Sequence, residues 1–135
     1  MNGNNKPVIH DLDVLRPSPE YVRLGGHDID ISFVPSGIAI DITNLETELR
    51  EVMGAKENIE KDSEAANKSF KLLAEICARI TSFQYEEMTT EWLLKHTNLE
   101  QLNQLMLHIT RGVRSSLNLS EDEETKKPQT TKASP

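Results

Sequence analysis

The feature that most constrains this chain is residues 69–83, SFKLLAEICARITSF, its most continuously apolar stretch. Set on a helix, Phe70, Leu73, Ala74, Cys77 and Ile80 share one face, and Leu72, Ile76 and Phe83 form a second beside it. Only a narrow stripe is left for water: Glu64, Lys68, Lys71, Glu75, Arg79 and Ser82. Within it Glu64 precedes Lys68 and Glu75 precedes Arg79 in the favourable acid-before-base order. A helix apolar around most of its circumference needs neighbours on several sides. The remaining segments are therefore candidates to cover it.

With 135 residues, 36% hydrophobic and 27% charged, the chain can build one core but not two of ordinary size. The formal charge is −7, and Arg111 and Arg114 are its one close arginine pair. Phosphate binding needs clustered cations that release counterions, so nucleic acid is excluded as the main partner. The single Cys77 cannot form an internal disulfide, and its place on an apolar face reads as a buried, inert thiol. The opening MNGNNKPVIHDLDV lacks an apolar core of signal-peptide length. No run approaches the roughly 20 residues that span a bilayer. The expectation is a cytosolic protein that touches no membrane.

Residues 1–19 read as a flexible or extended arm, in which residues 8–15 form a short extended segment ended by Arg16-Pro17-Ser18-Pro19. A single globular domain is expected over 20–118. Tyr21-Val22-Arg23-Leu24 and the alternating Ile29, Ile31 and Phe33 flank Gly25-Gly26, which supplies the positive φ angles of a tight hairpin. Pro35-Ser36-Gly37 marks a turn, and period two would place Ile38, Ile40 and Ile42 together as a third strand. Thr43-Asn44-Leu45-Glu46 then has the form of a capping box opening a helix, with Leu45, Leu49, Val52 and Met53 on one side and a stop at Gly54. Residues 55–62 read as a linker or weak helical extension, and Asp62 or Ser63 as the cap of the central helix, which extends to about Ser82. Thr89 caps a brief helix carrying Trp92, Leu93 and Leu94. Asn98 with Gln101 opens the last helix, whose stripe is Leu99, Leu102, Leu105, Met106, Ile109, Val113 and Leu117. Residues 119–135 read as a disordered charged tail, too poor in apolar side chains to offset its ordering entropy. The fold class expected is α+β, mostly α: a three-stranded antiparallel ribbon at the N-terminal end followed by about four helices.

Chemical motifs are sparse. His10-Asp11-Leu12-Asp13-Val14 and His27-Asp28-Ile29-Asp30-Ile31 repeat one pattern, which could bring imidazoles and carboxylates to a metal. On a strand, however, His27 points with Ile29 while Asp28 and Asp30 point away, so the donors diverge. His96 and His108 have no metal-ligand spacing, there is no Gly-x-Ser-x-Gly elbow, and Gly25-Gly26 lacks the third glycine of a phosphate loop. The reading is non-enzymatic, with no catalytic residue, metal or other cofactor. Core packing under the central helix is the default for Trp92, and partner contact its minority reading.

From Tyr21 to Leu117 the chain resembles the tail assembly chaperones of long-tailed bacteriophages. The resemblance is carried by LGGHDIDISFVP, by EICARI in the apolar helix, and by MTTEWLLKHTNLEQLNQLMLHI. It implies binding of the long, aggregation-prone tape-measure protein, kept soluble while the tail tube assembles. It also implies a longer frameshifted form that reaches the tail-tube protein, for which Thr125-Lys126-Lys127 would be the place of slippage. The expected location is the host cell cytoplasm, with absence from the mature virion. Trp92, Leu94, Leu105, Met106 and Ile109 are the candidate partner-binding residues. The competing readings are a structural head-tail joining or tail-tube-associated virion protein and a small metal-dependent hydrolase built on the two His-Asp pentads.

Overall fold

A computed structural model describes residues 6–54 and 63–119. The linker expected at 55–62, the Asp62 cap and the tail from 120 onward lie outside the described residues. The elements are a short 3-10 turn at Leu12–Leu15, strands β1 (Tyr21–Leu24) and β2 (His27–Asp30), and helices α1 (Ser36–Met53), α2 (Ser63–Gln84), α3 (Thr90–His96) and α4 (Leu99–Ser116).

The hairpin forms where Gly-Gly predicts it. Gly25 and Gly26 have φ of 58° and 82°, the two left-handed residues of a type I′ turn, and Leu24 pairs with His27 across it. The ribbon has two strands, and the expected third is not there. Its outer edge is instead satisfied by side chains at the end of α2. Gln84 Oε1 accepts from Asp30 N–H at 2.9 Å, Gln84 Nε2 donates to Asp30 O at 2.9 Å, and Tyr85 O–H donates to Asp28 O at 2.7 Å. A side-chain amide thus supplies the donor and acceptor that a neighbouring strand would have offered.

The segment read as that third strand, 38–42, lies within α1. Ala39 and Ile42 are fully buried, Ile38 is half-buried, and Ile40 is 54% exposed. The helix buries positions 38, 39, 42, 45 and 49 at three- and four-residue steps and leaves Ile40 wet, so an isoleucine at every second position did not mark a buried face. The expected capping box is not formed either. Thr43 Oγ1 donates to Ala39 O at 2.9 Å, the back-bond of a hydroxyl inside a helix, and the helix starts earlier, at Ser36. The N-terminal segment also differs from expectation, with a 3-10 turn at Leu12–Leu15 where an extended run was expected.

The central helix is the hub. Leu72, Leu73, Ala74, Ile76, Cys77, Ala78, Ile80 and Thr81 are buried, while Glu64, Lys68, Lys71 and Arg79 are exposed as their spacing requires. α1 packs on it most extensively, then α4 and α3. A helix therefore occupies much of the space expected for a ribbon. Phe70 and Phe83, read as inward, are 40% and 61% exposed. Both later caps form as read. Thr89 Oγ1 accepts from Trp92 N–H at 3.2 Å, and Asn98 and Gln101 exchange side-chain to backbone bonds at 2.9 Å each. Among the described residues no helix is long and apolar enough to cross a membrane.

Candidate functional site: an apolar groove across three helices

The amphipathic stripes of α1, α2 and α4 do not close completely on one another. Between them runs a cleft of about 390 Å³ walled by Leu49 and Met53 of α1, Phe70 and Leu73 of α2, and Leu99 and Met106 of α4. A larger cleft of about 910 Å³ adjoins it between α1 and α4, sharing Leu49, Met53 and Met106 and reaching Val113 and Leu119. Met53 is 49% exposed, Phe70 40%, Leu99 44% and Leu119 48%. These accessible apolar side chains make the two clefts a candidate interaction surface. Two methionines stand on the wall common to both clefts, and their flexible thioethers repack around varied side chains. Arg50, Arg114 and Glu46 also line the larger cleft, where Glu46 Oε2 accepts from Thr110 Oγ1 at 3.1 Å.

Of the five sequence-proposed contact residues, one lies in this groove. Met106 lines it; Leu105 and Ile109 are 3% and 1% exposed and belong to the core, Leu105 only reaching the floor of a separate cleft beside Val22 and Leu24. Leu94 is 43% exposed on α3. Trp92 is half-buried, packed against the core cluster and lying over the hairpin turn. Its ring stacks on His96 at 4.5 Å between centroids, meets His27 edge-on at 5.7 Å, and sits over Gly25. Sequence reasoning missed Leu49, Met53, Phe70, Leu73 and Leu99 as groove residues, because each continues an apolar stripe that reads as core.

A second cluster joins the hairpin to the turn after α2. His27 Nε2 lies 3.0 Å from Glu87 Oε2, and His27 Nδ1 lies 3.0 Å from Gly25 O, with Tyr85 edge-on at 4.7 Å. The Glu87 carboxyl is held below its ordinary range, first by its own backbone N–H and then by His27. Asp28 is lowered mainly by its hydrogen bond to Arg23, at 2.7 Å, on an exposed face. Cys77 is buried and desolvation pushes its thiol up to about 12, so it is no thiolate nucleophile near neutrality. Among the described residues no group of three or more His, Cys, Asp or Glu is arranged to hold a metal ion. No family model matches the chain, no curated protein is significantly similar to it, and no solved structure matches it.

Proposed function

We propose that this protein is a non-enzymatic tail assembly chaperone of a long-tailed bacteriophage, which binds the tape-measure protein and keeps it soluble during tail-tube assembly. The observation that carries the reading is the groove of Leu49, Met53, Phe70, Leu99 and Met106, an apolar channel between helices of the kind that receives the apolar face of an amphipathic helix. A long helical client exposes many such faces in sequence, and adaptable methionine walls suit a client whose side chains vary along its length. The net charge of −7 keeps a complex with an apolar client in solution. The sequence resemblance over 21–117 points the same way, and it adds the tail-tube protein as a partner of a frameshifted longer form. The place of action is the host cytoplasm, and the mature particle would lack the chain.

Co-expression with the tape-measure protein tests this reading. The expected result is a tape-measure protein that moves from the pellet to the soluble fraction and co-purifies. A client that stays insoluble contradicts it. The alternative, a structural joining or tube-associated protein, draws on the exposed apolar residues before Pro17. Purified particles that contain the chain would favour that alternative.

A further inference from the structure

Among the described residues, the most exposed apolar surface is the segment before the ribbon. Val8 is 79% exposed, Ile9 80%, Leu12 70%, Val14 72% and Leu15 76%. No other described segment leaves so many large apolar side chains so bare in so short a length. The segment is anchored at its C-terminal end, where the Arg16 guanidinium lies 3.8 Å over the Phe33 ring, and Asp11 caps the turn by accepting from Asp13 N–H at 3.0 Å. Leu12 and Leu15, three residues apart on a 3-10 turn, project from the same side. They only skirt a cleft of about 370 Å³ beside Phe33, Val34 and Ser116 and do not fill it.

One chain thus carries an unsatisfied apolar donor and an unsatisfied apolar acceptor. We propose that the arm of residues 8–15 docks in the Met53–Phe70–Leu99–Met106 groove of a second copy of this chain, and that two copies exchange arms reciprocally to form a two-fold dimer. Charge meets this pairing at the groove's edge: Asp11 and Asp13 interrupt the apolar residues of the arm, and Arg50 stands on the adjoining larger cleft, which Arg114 and Glu46 also line. Area fits as well. Each arm side chain has on the order of 100 Å² of apolar surface to bury, so one arm and its groove remove on the order of 1,000 Å² from water. A reciprocal pair doubles that, which reaches the size of a specific, stable interface. A two-fold exchange also closes, leaving no arm free to recruit further copies. The arm and the client of the proposed function would compete for one groove, and the pairing is measured on the protein without any client, so its failure is distinguishable from failure of that reading.

The test uses the full chain. Light scattering on wild-type protein at micromolar concentration is expected to give the mass of a dimer. Leu12→Asp with Leu15→Asp destroys the arm, and Met53→Glu blocks the groove; each variant alone is expected to associate at least about tenfold more weakly. Both changes lie at exposed positions, and circular dichroism checks that the helices persist. Mixing the two variants restores one intact arm and one intact groove and is expected to recover a heterodimer. Leu12→Cys mixed with Met53→Cys should give a cross-linked dimer on oxidation, while Cys77 is buried and does not compete. A monomeric wild-type chain overturns the proposal, including the case in which the arm folds into its own groove. A dimer unaffected by the arm variant, or a mixture in which no heterodimer forms, overturns it too.

Discussion

Replacing Gly25 by alanine tests how the hairpin is seated on α3. Gly25 has φ of +58°, and a Cβ built there would lie 2.5 Å from Trp92 Cη2. Two costs follow. An L-residue in the left-handed region loses about 1–2 kcal/mol, and forcing the indole aside in a packed contact adds about 1–3 kcal/mol. Gly26 is the control, with φ of +82° and nothing within 4 Å of its built Cβ, so Gly26→Ala carries only the first cost. Urea unfolding followed by circular dichroism should therefore rank Gly25→Ala below Gly26→Ala by about 1–3 kcal/mol. Introducing Trp92→Leu, which removes the obstructing ring, should bring the cost of Gly25→Ala down to that of Gly26→Ala. Equal costs in the wild-type background, or a gap that survives loss of the indole, would refute the seating of Trp92 over the turn.

Further outcomes follow from the same packing. Ile42→Ala should cost about 2–5 kcal/mol by urea unfolding and Ile40→Ala no more than about 0.5 kcal/mol, since one is fully buried and the other is 54% exposed; similar costs would return the segment to a strand with both side chains on one face. Thr81→Val should cost about 1–3 kcal/mol, because the buried hydroxyl donates to Met88 O at 2.8 Å and valine leaves that carbonyl short of a partner; a neutral substitution would contradict this. Glu87 has its carboxyl lowered in the fold, so its contribution is fully present above its ordinary value of 4.5 and is lost as pH falls through the lowered folded value. Carboxyl titration by NMR should find its midpoint below the ordinary range, and His27→Ala should move it upward, leaving in place the part that its own backbone N–H supplies. Cys77 should resist alkylation in native protein at pH 8 and react on unfolding, since burial pushes its thiol up to about 12.

The hairpin, the central helix and the last two helices were legible because each announces itself locally. Gly25-Gly26 imposes the turn, Thr89 and Asn98 supply their own caps, and the apolar spacing of α2 and α4 leaves no other period. The third strand failed for a physical reason. A short run of β-branched residues fits either period, and what decided it was burial of Ala39 and Ile42 against α2, a contact from distant sequence. Thr43 with Glu46 matched a cap by spacing, but a helix that starts at Ser36 leaves the hydroxyl to bond back onto Ala39 O. The groove was the least legible part. Its residues extend core stripes, and nothing local says where three stripes stop meeting; Met106 was reached, while Met53 and Phe70 were read as packed inward.

The most direct test of the chaperone account is to co-express the tape-measure protein with wild-type chain and, separately, with Phe70→Glu, a charge placed on the groove wall at a position 40% exposed. The account predicts soluble, co-purifying client with wild type and at least about a tenfold loss of recovered complex with the folded variant, because a carboxylate buried against an apolar helix face has no partner. A wild-type chain that fails to hold the client in solution, or a folded Phe70→Glu protein that holds it equally well, would contradict the claim that this groove is where the client binds.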